Sequence, residues 1–275
     1  MSSPRRPTSA PFFVDYPLFK PRTHATSGAR VYRFQVTGSG HVAGVTRVGN
    51  IPAAIGFPTA MAVSPDGSKL ALATEYKLGQ PDAVVVNLVT GAVTQWRGGL
   101  PGQQNQNVIT QLSWAADGHT LAFMYRHSES ALAARSADYS QWTTEVRTLN
   151  ADAPGGSLAG GRLVLQQSPS RSRLIIQAVI SPDGRSVTVA VQQGPIYKYS
   201  QMPANVEVQQ ISVQDGRRLR VLYAGPAGNS TSPFLRADGN GHWLLTANWK
   251  LGWLGAGRLH QLPPGQDGTV SDIAW

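Results

Sequence analysis

The chain has 275 residues, 41% of them hydrophobic and only 14% charged, with 29 Gly, 19 Pro and no Cys. That length suits one large all-β unit, and the Gly and Pro content suits short strands joined by tight turns rather than long surface helices. The absence of thiols excludes disulfides, thiolate metal sites and cysteine catalysis, while the formal charge of +9 favours anionic surfaces without naming one.

The opening "MSSPRRPTSAPFF" has an arginine pair but no apolar signal-peptide core, and residues 1–10 are expected to form a flexible tail ahead of a single domain over 11–275. No stretch approaches the ~18 continuous apolar residues of a membrane span. The chain therefore reads as soluble, either cytoplasmic or associated with the cell envelope. "PFFVDY", "RVYRFQV" and "HVAGVTRV" predict three strands. "GSGHVAG" at 38–44 misses the dinucleotide-binding spacing, lacks a βαβ context, and reads as a hairpin turn.

A repeat begins at "AMAVSPDGSKLALA" (60–73) and returns as "QLSWAADGHTLAFM" (111–124), "QAVISPDGRSVTVA" (177–190) and "SPFLRADGNGHWLLT" (232–246). The turn aspartates are Asp66, Asp117, Asp183 and Asp238, spaced by 51, 66 and 55 residues, a recurrence typical of propellers and solenoids. Pro65 and Pro182 preset φ, Asp accepts from amides ahead of it, and Gly takes the positive φ that closes each hairpin. Further hairpins follow in "AVVVNLVTGAVTQW" (83–96) and "VEVQQISVQDGRRLRVLY" (206–223), and "WTTEVRTLN" and "RLVLQQ" flank the Gly-rich "ADAPGGSLAGG". Four strands per repeat is the unit of a propeller blade. The closing "GTVSDIAW" matches "VITQLSW" and is expected to supply the innermost strand that the N-terminal region lacks. The expected fold is an all-β propeller of about five four-stranded blades, its ring closed by the C-terminal strand joining the N-terminal blade.

The "SPDG…LA" repeats with a downstream "VVNLVTG" resemble TolB-type and WD-repeat-like bacterial propellers. That resemblance implies a propeller fold and an association with the cell envelope; it does not carry an activity.

The turns also locate candidate chemistry on the strands that precede them. Six residues before each turn Asp, at the start of the innermost strand, stand Ala60, Gln111, Gln177 and Ser232, with Asp272 aligned from the closing segment. Two residues on, on the same strand face, stand Ala62, Ser113, Val179, Phe234 and Ala274. Gln111, Gln177, Ser232 and Asp272 form the candidate ligand-binding ring at the channel mouth, with ordered channel water as the plainer alternative.

No catalytic residue, metal ligand or cofactor is assigned. The six histidines lack metal-ligand spacing. "GGSLA" (155–159) ends in Ala159 where a nucleophile elbow needs Gly, so a flexible blade loop explains it. "RHSESALAARSADYSQW" (126–142) reads as one long solvated loop, "RRLR" (217–220) as a solvated basic loop, and Trp96 and Trp114 as core. Trp243, Trp249 and Trp253 surround a loop between two strands, where inter-blade packing competes with an exposed binding surface.

The reading this supports is a non-catalytic propeller scaffold, expected as a monomer, that binds a protein or peptide. The alternative is a lactonase-like propeller hydrolase with Asp272 at its channel site. Nucleic acid is not expected as a partner.

Overall fold

The computed structural model describes residues 12–15, 29–36, 42–51, 58–76, 80–98, 107–128, 139–194, 204–228, 235–237, 243–247, 250–255 and 258–261. These form an all-β structure whose sheets follow one another in chain order. The first sheet is β1 (Phe12–Asp15), β2 (Ala29–Val36) and β3 (Val42–Ile51). The second is β4 (Pro58–Val63), β5 (Lys69–Tyr76), β6 (Gln80–Asn87) and β7 (Val93–Arg97). The third is β8 (Val108–Trp114), β9 (Thr120–His127), β10 (Thr143–Asn150) and β12 (Arg162–Gln167), with the two-residue β11 (Gly156–Ser157) between the last two in sequence. The fourth is β13 (Arg173–Ile180), β14 (Ser186–Gln193), β15 (Ala204–Ser212) and β16 (Arg218–Gly228). The fifth is β17 (Leu235–Ala237), β18 (Trp243–Ala247), β19 (Lys250–Gly255) and β20 (Arg258–Gln261). Within each sheet consecutive strands pair antiparallel. The N-terminal tail, Ser232, Asp272, Trp249, Trp275 and the expected closing strand lie outside the described residues.

The hairpins form where Asp and Gly demand them. Gly67, Gly118 and Gly184 sit at φ of 72°, 67° and 70°, and their amides donate back to Ser64, Ala115 and Ser181 carbonyls at 2.8, 3.2 and 2.9 Å. At the first turn the Ser64 and Ser68 hydroxyls each donate to the Asp66 carboxylate at 2.6 Å. These bonds hold its pKa at about 2. Asp66 is therefore a turn residue, already ionised and fully engaged. Asn87 does similar work at the next hairpin, its Oδ1 accepting from the Val89 and Thr90 amides at 2.9 Å.

Strand alternation lets the third and fourth sheets bury both faces. Leu121 and Phe123 of β9 join Ala71, Val85 and Trp96 in a core between the second and third sheets. Ala122 and Met124, one residue out of phase, join Ile180, Val187 and Val189 between the third and fourth. Val206 and Val208 then meet Leu235 and Leu254 between the fourth and fifth. The first strands β4, β8, β13 and β17 neighbour one another in turn, so antiparallel meanders stack face to face with their innermost strands side by side.

Two segments depart from the expectation of plain loops. Arg126 and His127 belong to β9, and Trp142 is buried, which shortens the long insertion at both ends. The Gly-rich segment is a clasp and not a flexible loop. β11 leaves the third sheet and pairs parallel with β7, Gly156 opposite Trp96 and Ser157 opposite Arg97, making the second sheet five-stranded. Ser157 then caps a 3-10 turn, Leu158–Gly160, by accepting from the Ala159 amide at 3.1 Å, and Leu158 inserts into the core between the two sheets. Arg147 Nη1 fixes the return by donating to the Ala159 and Gly161 carbonyls at 3.1 and 2.7 Å.

Gly155 is the tight point of the clasp: its φ is +92° and a Cβ there would lie 2.5 Å from the Gln95 carbonyl oxygen. Gly155→Ala is expected to destabilise the protein by about 2 kcal/mol or more. Gly160→Ala, whose Cβ meets nothing within 4 Å, should stay within about 0.5 kcal/mol of the parent. Urea unfolding midpoints of the two variants check the contrast.

Candidate functional site

The first strand of each of these sheets has one edge paired to its own sheet and one free edge, whose buried N–H and C=O groups need partners. The neighbouring sheet supplies them. Gln111 Oε1 accepts from the Ala178 amide at 2.7 Å and Ser113 Oγ accepts from the Ile180 amide at 3.0 Å, two successive outward N–H groups of β13. Gln177 Oε1 accepts from the Leu235 amide, carrying the same arrangement to β17. On the other side, Trp114 Nε1 donates to the Ala62 carbonyl of β4 at 3.0 Å.

These are the positions found by counting back from the turns, and the structure places them as follows. Gln111 and Gln177 lie within their strands and not at the strand starts, since β8 begins at Val108 and β13 at Arg173; a register shift precedes each, between Ile109 and Gln111 and between Ile175 and Gln177. The same shift occurs between Pro58 and Ala60. A bulge at this point re-aims the following side chain, and it turns Gln111 and Gln177 toward the next sheet. Gln111 is buried and Gln177 half-buried. Ala60 and Ala62 pack against the core between the second and third sheets.

A second recurring feature escaped the sequence reading. Lys69, Thr120 and Ser186, each three residues after its turn Asp, pair with Asn87, Asn150 and Ser212. Five residues before each of those partners stands an acid: Asp82, Glu145 and Glu207. The same ruler would have found them. Their environments differ. Burial pushes the Asp82 carboxyl above its ordinary value although Gln95 Nε2 donates to it at 2.5 Å. His127 and Arg147 hold Glu145 down at about 2; Arg147 Nε lies 2.6 Å and His127 Nε2 3.4 Å from its oxygens. Tyr125, opposite Glu145 and stacked on His127 at 5.4 Å, is pushed up to about 12 by burial and by the Glu145 charge. Gln193 and Gln209 donate to Glu207 at 2.5 and 2.8 Å.

The acids share a register position on successive sheets and bond to neighbours in their own sheet. Among the described residues, no group of three or more His, Asp or Glu is placed to hold a metal ion, and no helix is long and apolar enough to cross a membrane.

Stacked antiparallel meanders with laterally capped inner strands define a propeller-type all-β protein. No family model matches the chain, and no curated protein matches it. Among solved structures, the chain is similar to a Bacteroides fragilis protein assigned as a 6-phosphogluconolactonase, at 10% identity and a TM-score of 0.48 over 95% of this chain and 68% of that one. It is similar to TolB from Acinetobacter baumannii at 14% identity and a TM-score of 0.40, covering 81% and 47%. It is also similar to a prolyl endopeptidase at 14% identity and a TM-score of 0.43, covering 87% of this chain and only 40% of that one.

Gln111→Met keeps bulk but removes the acceptor, leaving the Ala178 N–H unpaired. The expected loss is about 1–3 kcal/mol, and combination with Ser113→Ala should cost more than either change alone, as urea titration can measure.

Two acids should respond to pH with opposite sign. Glu145 has a depressed folded pKa, so its contribution is present above the unfolded carboxylate range and fades as pH falls toward about 2. Glu145→Gln should therefore be most destabilising near neutrality and converge on the parent in acid. Asp82 has a raised pKa, so ionising it costs stability as pH rises. Asp82→Asn should gain on the parent between acid and neutral pH in thermal melts.

Proposed function

We propose that the chain is a non-catalytic, monomeric β-propeller of about five four-stranded blades, its ring closed by residues 269–275, that binds a protein or peptide partner at the cell envelope. The observation that carries this reading is the use of Gln111, Ser113 and Gln177 as lateral caps on neighbouring strands. Polar groups that would serve chemistry in a channel enzyme hold the frame together here.

A rigid frame with loops at one end is a recognition scaffold. Strands β5, β7, β9, β14 and β16 all finish at the end opposite the Asp-Gly turns, so, apart from the packed clasp between β10 and β12, the longer connections leave from that end and present the partner face. In this reading Gln111 and Gln177 set the position of the channel mouth, and Ser232 and Asp272 complete its polar ring. The WD-repeat-like character is part of the same proposal.

Site-specific photo-crosslinking tests the face. A benzophenone side chain in place of Arg171, at the loop-bearing end, should crosslink one discrete partner from envelope fractions. The same group in place of Val89, 81% exposed beside an opposite-end turn, should not. Turnover of lactone or peptide substrates by the purified protein, abolished by Asp272→Ala, would replace the scaffold with the hydrolase reading.

A further inference from the structure

The seam between the third and fourth sheets changes character toward the loop-bearing end. Met124, Val146, Ile175 and Val191 belong to its apolar core, and two residues further along each strand two polar rows face each other. On the third sheet, Arg126, Thr144 and Gln167 lie side by side across β9, β10 and β12. On the fourth, Arg173, Gln193 and Asn205 do so across β13, β14 and β15. Arg173 shares its face with Ile175, and Gln193 with Val191, so this row points into the same seam. Contacts cross between the sheets here. Arg126 Nη2 donates to the Ile175 carbonyl at 2.8 Å; Gln167 Nε2 donates to the Arg173 carbonyl at 2.5 Å while its Oε1 accepts from the Ile175 amide at 2.8 Å.

The rows hold more donors than acceptors. Thr144 is fully buried, and its Oγ1 has no hydrogen-bond partner among the described residues. Glu207, two residues inside Asn205, is already engaged by Gln193 Nε2 at 2.5 Å, Gln209 Nε2 at 2.8 Å and Arg218 Nη1 at 3.5 Å. From 153 to 206 the sequence holds a single acid, Asp183, placed at an Asp-Gly turn of the opposite end, against Arg162, Arg171, Arg173, Arg185 and Lys198. Arg173 is exposed, and none of the ion pairs among the described residues involves it. Arg126, buried behind it, adds positive potential where the dielectric is low.

The backbone under Arg173 is fixed before any ligand arrives. Gln167 holds its carbonyl, its amide donates to Ser170 Oγ at 3.1 Å, and the Gly194 amide donates to the Ser172 carbonyl at 2.9 Å. Side chains presented from a fixed backbone lose less freedom on binding. The row sets one exposed guanidinium beside two carboxamides, a donor set that a single planar carboxylate satisfies. A phosphate backbone draws on a longer stripe of cations and a membrane surface on apolar side chains, and neither row supplies these.

We propose that Arg173, Gln193 and Asn205, at the loop-bearing mouth of the seam between the third and fourth sheets, bind a carboxylate of a partner protein. The site rests on the partner-face reading and deepens it; Arg171, the crosslinking position, lies beside the site and is not part of it.

The test uses the full chain and a fluorescein-labelled Gly-Glu-Ser-Glu-Gly peptide with an amidated C-terminus, read by anisotropy at low salt. The amidated Gln counterpart should bind at least about tenfold more weakly. The same Gln peptide with a free C-terminus separates a terminal from a side-chain carboxylate, and binding of either carboxylate form supports the site. Arg173→Gln and Asn205→Asp should each weaken binding at least about fivefold, the second because it sets a carboxylate inside the row. Arg173→Lys, which keeps the charge without the fork, should fall between the parent and Arg173→Gln. Arg185→Gln, an equal charge change on an exposed residue at the opposite end of the same sheet, should change binding less than about twofold. Thermal melts confirm that each variant is folded.

Equal losses in Arg173→Gln and Arg185→Gln would mean net charge alone and overturn the proposal. So would undetectable binding of both carboxylate forms, equal binding of the Glu and amidated Gln peptides, or a phosphoserine counterpart bound through Arg173 while the Glu peptide is not. The crosslinking result reads separately. A partner captured at position 171 without carboxylate binding removes this site and keeps the partner face; carboxylate binding without a captured partner keeps this site and removes the envelope partner.

Discussion

The structure depends on how the innermost strands dispose of their second edge. The free edge of a sheet's first strand has no further strand of its own sheet to pair with, yet its buried amides still require acceptors. Gln111, Ser113 and Gln177 meet this need from the neighbouring sheet. Each bond stabilises by about 1 kcal/mol net, but leaving the buried amide unmet costs more. The caps therefore set how adjacent sheets are placed relative to one another, beyond what apolar packing alone specifies. A core of Val, Ile and Ala tolerates sliding; an amide reaching one particular N–H does not.

Lateral capping also explains why the sheets can be buried on both faces without merging. Val187, Val189 and Val191 fill the core toward the third sheet, while Ala190 serves the core toward the fifth. The period-two alternation shares one strand between two interfaces. The clasp adds a second tie farther from the axis, since β11 extends the second sheet with residues from the third. Inner caps and outer clasp resist different motions: the first resists sliding of neighbouring inner strands, and the second resists opening of the outer edges.

Much of the fold was legible because turn chemistry is local. Gly67, Gly118 and Gly184 need positive φ, and the residues that meet that need are visible in three short sequence windows. The placement of Gln111 and Gln177 on first strands was legible for the same reason, although not their place within them, since β8 and β13 begin earlier, at Val108 and Arg173. Their role was not, because it depends on an amide 58 or 67 residues away, on a strand whose lateral placement no local pattern encodes. β11 was illegible for a related reason: two residues have no periodicity, and their strand character comes wholly from the β7 edge they meet. Asp82, Glu145 and Glu207 were countable but concealed by the hydrophobic runs around them.

Those three acids show why register is not function. One repeat position, read off one ruler, yields a carboxyl raised by burial at Asp82 and one held at about 2 at Glu145. The difference comes from the partners each sheet offers, an amide from Gln95 in one case and the His127 ring and Arg147 guanidinium in the other. Repetition supplies equivalent backbone sites, whereas charge, exposure and hydrogen bonding are settled sheet by sheet. The same separation holds at the surface. β7 and β16 are corresponding outer strands, yet one is covered by β11 and the other presents Arg218, Leu219, Arg220 and Val221 to solvent. Where a repeated frame diverges without loss of packing, the divergence is available for recognition.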